Sequence, residues 1–524
     1  MNEYQQTDER HLWVRFCWLF WGLELVVRPL IAVLLPIDLA GDEAYYWEWG
    51  QHLDWGYFSK PPGIAWVMAF ADWLGGGATW GIRLTACLFG AGSAWLVVLT
   101  ARRCFGQTVA IWAGLAWILT PANSAIHLIL TIDAPLVFFW ALALWSSMEW
   151  LKSTGRSRPH AGLLALALAG GMISKQMMLI YFPVLVLAMA TDRSWRPLLK
   201  KKSLWLAGIG GHIGLLPPLI WNARNNWITW QHTLHHFESA PPTLEKRISR
   251  FFEFFGAEIG LVTPVLFILI LGSGIAILRG WRRAGPELRL LWWMSFPAII
   301  IMFFMTWRQR VNPNWPVVFL IGGTLMACGF YWHTWKTSGS NARNWVKTGV
   351  KVSALFTLLT YLTIISLTSG IVRLPGLDPS ARMRGWSGMV EEIYLEVAEF
   401  QNQGIVGKDF FWATVAHRYL ASQMRFYLPD NPRVYRYSPD SEIIASQHDL
   451  WETPSTLIGS EAIIVVHGPP ELLPDDLKEW FEDIQLLVVM ESDSRRKKWR
   501  TLSLFHGRNL QYWPEKDTRN AQHR

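Results

Sequence analysis

Apolar runs of about 20 residues recur along the first 370 positions of this chain, the length an α-helix needs to cross a hydrocarbon core about 30 Å thick. Hydrocarbon offers no water to backbone N–H and C=O groups, so such runs must close their hydrogen bonds internally, as helices. They fall at 13–35, 79–100, 107–121, 134–151, 160–173, 177–191, 203–221, 259–279, 289–306, 315–335 and 349–370. The pattern predicts a mostly α, polytopic membrane protein with about eleven transmembrane helices. Around Ser174-Lys175-Gln176 it admits either one long helix or two that meet at a break. Composition agrees: 17% of the 524 residues are charged, against about a quarter in soluble proteins. Of the 34 Trp, many lie near run ends, where their amphipathic rings suit the membrane interface.

The net charge of +8 is distributed as a topology signal and excludes a nucleic-acid patch. Arg102-Arg103, Lys200 to Lys202, Arg282-Arg283 and Lys347 fall in or beside short loops that alternate with loops poorer in cations. That alternation predicts a cytoplasmic N-terminus, with 36–78, 222–258 and 307–316 on the opposite side. The Trp13–Leu35 run is too long for a signal-peptide core and lacks a cleavage site, so it is expected to be a retained first helix. The four cysteines lie in or beside apolar runs and suggest neither a disulfide framework nor a metal cluster. From about 373 the chain becomes charged. Helices are predicted at 386–403, 418–428 and 475–484, and strands at 409–416, 433–437, 462–467 and 499–505. The expected organisation is a membrane domain over 1–372, with extracytoplasmic loops at 36–78 and 222–258. A small C-terminal extracytoplasmic α/β domain over 373–524 follows.

Ionisable groups at membrane depth are candidates for function, because hydrocarbon cannot solvate them. Asp42 and Glu43 follow the first run directly, amid aromatic residues. Being adjacent they point in different directions, so one can react while the other braces a helix start. Lys60 precedes Pro61-Pro62, whose fixed φ stiffens the backbone that presents it, and a lysine is a good point charge for phosphate. Asp133 opens an apolar run two residues before Pro135, as an N-cap would. Lys175, Arg308 and Arg310 are cations on the expected outer side. His232, His235 and His236 lack the spacing of a zinc site, and no P-loop or nucleophile elbow is present. A carboxylate pair with convergent cations suits displacement of an anionic leaving group by a hydroxyl.

Several stretches carry a family resemblance: Asp42-Glu43-Ala44-Tyr45-Tyr46-Trp47, Gly56-Tyr57-Phe58 with Lys60-Pro61-Pro62, Asp133-Ala134-Pro135, Ser174-Lys175, Trp221-Asn222 and Pro313-Asn314-Trp315-Pro316. In this order they resemble bacterial family 39 glycosyltransferases of the GT-C superfamily, relatives of lipid A aminoarabinose transferases and protein O-mannosyltransferases. The tail motifs Ala421–Pro429 and Gln447–Trp451 resemble the bacterial group as well.

The resemblance implies an inverting transferase in the bacterial cytoplasmic (inner) membrane, with its active site on the extracytoplasmic face. It would take a sugar from a polyprenyl-phosphate donor and pass it to a lipid, glycan or protein acceptor. It places the base on Asp42, with Glu43 and Asp133 as further catalytic candidates. Lys60, Lys175, Arg308 and Arg310 are then the donor-phosphate cations, and Tyr45, Tyr57, Asn314 and Trp315 the expected pocket residues. Ser59 stands where many members carry an acid or His, so no cofactor is expected and a divalent metal is not favoured. The alternative is a transporter of an amphipathic, anionic, lipid-linked substrate, which paired halves with interrupted helices would favour; no such repeat is seen.

Overall fold

The computed structural model describes residues 3–235, 242–333, 341–369, 371–372, 382–439, 444–491 and 500–515. The chain divides into two compact units. One comprises Met1–Leu34, Trp80–Pro218 and Phe237–Thr363; the other comprises Leu35–Thr79, Leu219–His236 and Ile364–Arg524.

The first unit is helical. Each of the eleven apolar runs is a helix or a helix pair, but they differ in reach. Six are long and apolar enough to cross a membrane: His11–Leu34, Thr79–Phe105, Asp133–Lys152, Lys202–Arg224, Pro286–Met305 and Asn341–Thr368. Leu244–Val262 and Pro264–Arg279 are bent by 105° at Thr263, a non-glycine residue with φ 77° followed by a proline. Residues 244–258, expected in a loop, therefore belong to a helix, which Thr243 caps by accepting from Lys246 N. Four runs are shorter helices: Gln107–Ile118, Arg158–Ser174, Gln176–Thr191 and Val317–His333. Val317–His333 is enclosed by protein, as Val317 through Gly329 are all buried. Short helices are tolerated where neighbours satisfy their ends.

At Lys175 the chain breaks: φ −160° and ψ 139° separate the Arg158–Ser174 helix from a 3₁₀ turn at Gln176–Ile180. Of the two alternatives at this point, two helices that meet at a break is the one formed. The first span also holds an ion pair, Arg28 with Glu24 at 2.9 Å. It sits where the helix widens into a π-turn at Leu23–Val27, and Arg28 donates further to the Ile118 carbonyl and Ser124 Oγ.

The second unit carries the Gly41–Gly50 helix, the 51–62 loop, the Gly63–Gly75 helix and the C-terminal α/β fold. Its sheet has the strands β1 (Phe410–Val415), β2 (Val434–Arg436), β3 (Glu461–His467), β4 (Phe481–Glu491) and β5 (Thr501–Leu510). The order is β2-β1-β3-β5-β4. β1 pairs parallel with β2 and β3, while β5 pairs antiparallel with β3 and β4. Four strands match the expectation; β4 was not expected. Asp475-Asp476-Leu477-Lys478-Glu479-Trp480-Phe481 begins like an amphipathic helix, but that helix stops at Glu479. The Ile484-Gln485-Leu486-Leu487-Val488-Val489 stretch then pairs at the sheet edge. Apolar layers cover both faces of the sheet, one from Trp386–Val397 and Leu420–Leu428, the other from Leu473–Phe481 and Trp513.

Candidate active site

The Gly41–Gly50 helix starts with a division of labour between its two acids. Glu43, fully buried, turns back so that its Oε2 accepts from Ala40 N at 2.9 Å. Ala40 has no side-chain acceptor of its own, so Glu43 supplies the side-chain half of a helix cap. Asp42 faces outward with 46% of its side chain exposed. Its Oδ1 accepts from Tyr419 Oη at 3.2 Å and lies 3.7 Å from Arg418 Nη2. Among the described residues Oδ2 has no partner.

Arg418 and Tyr419 open the Arg418–Tyr427 helix. The Arg418 guanidinium stands 4.9 Å above the ring of buried Tyr45 and 5.1 Å from the Tyr419 ring. Burial acts to lower the Arg418 pKa, but neighbouring acidic groups, Tyr45, Tyr419 and Asp42, raise it above its ordinary value. Tyr45 is in turn fixed from behind: Gln447 N donates to its Oη at 2.7 Å, and His448 stacks on its ring at 5.5 Å.

Beneath these lies a buried charged group. Glu48 Oε2 accepts from Ser422 Oγ at 2.6 Å and meets His448 Nε2 at 2.9 Å, while Oε1 meets Arg425 Nη1 at 3.3 Å. Burial would raise the Glu48 pKa, yet His448, Ser422 and Arg425 together bring it down to about 2. Burial, and then Arg425, hold the His52 imidazole below its ordinary value. Sequence reasoning assigned no role to Glu48, Arg418, Tyr419 or His448. The available signal was Glu48 itself, a carboxylate between Trp47 and Trp49, which buried surroundings would force to find partners.

The loop that carries Lys60 is tied down by distant segments. Trp221 Nε1 donates to Asp54 Oδ2 at 2.7 Å, Thr229 Oγ1 to the Tyr57 carbonyl at 2.8 Å, and Phe58 N to Gln447 Oε1 at 2.7 Å. Tyr57 stacks on Trp49 at 4.4 Å, and its hydroxyl sits among backbone groups of Trp49, His52 and Asp54. A Cβ on Gly56 would come within 2.9 Å of the Trp221 ring, so only glycine fits that crossing. Lys60 is half-buried, and its carbonyl accepts from Tyr57 N.

The remaining candidates belong to the helical unit. Lys175 Nζ donates to Asp133 Oδ1 at 2.7 Å, and Asn314 Nδ2 donates to Asp133 Oδ2 at 2.6 Å. Asp133 and Lys175 are buried, at 4% and 8% exposure. Trp315 packs against the apolar core beside them. Arg308 and Arg310 are exposed on the same turn as Asn314, with Arg310 4.0 Å from Glu253, which is also exposed. Among the described residues no three His, Cys, Asp or Glu side chains converge as a metal site. His232 lies against the Phe58 ring; the His235 side chain and His236 lie outside the described residues.

The sequence profile described as dolichyl-phosphate-mannose-protein mannosyltransferase matches residues 59–221. The lipid A galacturonosyltransferase RgtD of Rhizobium johnstonii is 29% identical over 301 residues, 57% of this chain and 62% of its own length. The chain thus matches a little under two thirds of that relative. ArnT from Cupriavidus metallidurans bound to undecaprenyl phosphate superposes with a TM-score of 0.64, at 17% identity, over 93% of this chain and 97% of that one. Its apo state gives 0.61 over 96% and 98%, also at 17% identity. The fold is of the GT-C type: a helical membrane portion with a small C-terminal sheet. The resemblance read from the motifs is borne out.

Proposed function

We propose that this membrane protein of GT-C fold is an inverting glycosyltransferase that moves a sugar from a polyprenyl-phosphate donor to an envelope lipid. The observation that carries the reading is the half-exposed Asp42 carboxylate, held by one oxygen beside a fully buried Glu43. Asp42 takes the proton of the acceptor hydroxyl as its oxygen attacks the sugar C1. The C1–O bond to phosphate breaks, and polyprenyl phosphate leaves with the bonding pair. A phosphate leaving group needs no protonating acid, so one base and a cation suffice. Lys60 is assigned as that cation. Arg308 and Arg310 are exposed cations of the helical unit, and Lys175 there is engaged by Asp133. No metal is required by this arrangement.

The donor class draws on the bound undecaprenyl phosphate of the ArnT structure, and the lipid acceptor on the activity named for RgtD. The active site is assigned to the extracytoplasmic face of the bacterial inner membrane, from the positive-inside pattern. The test is to incubate the purified chain with lipid A and undecaprenyl-phosphate-linked galacturonate, aminoarabinose or mannose. Release of undecaprenyl phosphate coupled to a mass gain on the acceptor is expected with one of these donors. Movement of the donor between leaflets without its cleavage would instead identify a transporter, and a protein or glycan that gained the sugar would change the acceptor.

A further inference from the structure

We propose that Arg418 and Tyr419 are positioning residues for Asp42, so that the C-terminal α/β segment supplies part of the catalytic apparatus. The inference rests on the reading of Asp42 as the base.

A general base must hold one carboxylate oxygen toward the proton it takes, and an aspartate at an exposed helix start rotates freely about χ1 and χ2 unless something holds it. Here the holding groups come from 377 residues away in the chain. They form a short relay: Arg418 Nη2 donates to Tyr419 Oη at 3.5 Å, and Tyr419 Oη donates to Asp42 Oδ1 at 3.2 Å. The guanidinium also faces Oδ1 itself at 3.7 Å. Both contacts fall on the same oxygen, which leaves Oδ2 for the acceptor hydroxyl.

Tyr419 cannot drift from this post. The His417 ring packs on it at 4.2 Å and Arg418 at 5.1 Å. Its ring also lies over Gly41 so closely that a Cβ there would fall 2.6 Å from Cγ. Glycine at 41 is thus the condition for the tyrosine to reach the residue next in sequence. Arg418 is braced by the Tyr45 ring, which Gln447 and His448 fix from behind. The charged and titratable groups around Asp42 are therefore Arg418, Tyr419 and His417 from one segment and Glu43, already engaged as a cap, from its own.

The experiment uses the full chain and the donor that turns over with lipid A in the assay above, with kcat and KM separated and thermal unfolding followed in parallel. Charge-assisted contacts contribute roughly 1.5–3 kcal/mol, so Arg418→Gln is expected to lower kcat about ten- to a hundredfold. KM for donor and acceptor should change little, and Arg418→Lys should recover much of the loss. Tyr419→Phe removes a neutral hydrogen bond of about 1 kcal/mol, so kcat should drop roughly fivefold with the unfolding temperature unchanged. Gly41→Ala pushes the Tyr419 ring aside without touching a charge and should match Tyr419→Phe. Wild-type kcat in both Arg418→Gln and Tyr419→Phe, with Asp42→Asn inactive, overturns the positioning role and leaves the base assignment standing. A kcat loss that only follows a fall in unfolding temperature, with no recovery by lysine, overturns it too. Full activity in Asp42→Asn, or no turnover by the unmodified chain with any donor, removes the base on which the inference rests.

Discussion

Glu48 and His448, 400 residues apart in the chain, meet at 2.9 Å, with Glu48 buried. The pair joins the Gly41–Gly50 helix to the C-terminal segment and stands behind Tyr45, one layer from Asp42. Its pKa fixes when it acts. Glu48 is depressed from its ordinary 4.5 to about 2, so its contribution to stability is fully present above about pH 4.5 and is lost as pH falls through about 2. Thermal unfolding of the purified protein should therefore weaken across that acid window. In Glu48→Gln, the decline over the same window should flatten, while stability at neutral pH drops because Arg425 loses a charged partner. An unchanged acid profile in the variant would remove Glu48 from this role.

Asp42→Asn keeps shape and removes basicity. General base catalysis contributes typically 10²–10⁴-fold, so turnover should fall by about that much while donor binding survives. Near-normal turnover would send the base assignment elsewhere.

Lys60→Ala should lower donor use roughly ten- to a hundredfold, from a charge-assisted contact of about 1.5–3 kcal/mol. Lys60→Arg should retain part of it. Binding of undecaprenyl phosphate alone, by tryptophan fluorescence, is the independent readout, and unaltered affinity in Lys60→Ala would return the lysine to an interfacial role.

Asp133→Ala strands the buried Lys175 ammonium. Removing one partner of a buried ion pair costs about 3–5 kcal/mol, so low yield or a lowered unfolding temperature is expected. The double variant Asp133→Ala with Lys175→Met should recover stability. If recovered protein is also active, the pair is structural; if it is stable and inert, the pair serves the reaction.

Leu53 is 62% exposed and Arg282 is exposed, so both can be replaced by cysteine for labelling. In intact cells stripped of their outer membrane, an impermeant thiol reagent should reach Leu53→Cys at once and Arg282→Cys only after lysis. The opposite order would place Asp42 and Lys60 before nucleotide sugars instead of carrier lipids.

What the sequence disclosed follows from which interactions are local. The apolar runs mark most helices of the membrane portion because burial in lipid is written residue by residue, whereas the charged first half of Leu244–Val262 reads as a loop. The length of a run says nothing of the protein around it, so Gln107–Ile118 and Val317–His333 read as spans although their helices are short. Asp42 and Glu43 stand out by their setting, and their different orientations follow from adjacency on a helix. The residues that hold Asp42 do not stand out, because Arg418-Tyr419 opens an ordinary amphipathic helix and nothing in its neighbourhood marks a partner at position 42. β4 was obscured by the helical start of its own segment, and pairing with β5 decided it.

The loop that presents Lys60 takes its shape from a bond between Phe58 N and Gln447 Oε1. A ribosome delivers residue 447 long after the early spans have entered the membrane. The nascent protein therefore passes through a stage in which it is inserted but the loop lacks its last anchor. A chain that stops short of that point would carry Lys60 on a loop tied only by Trp221 to Asp54 and by Thr229 to Tyr57.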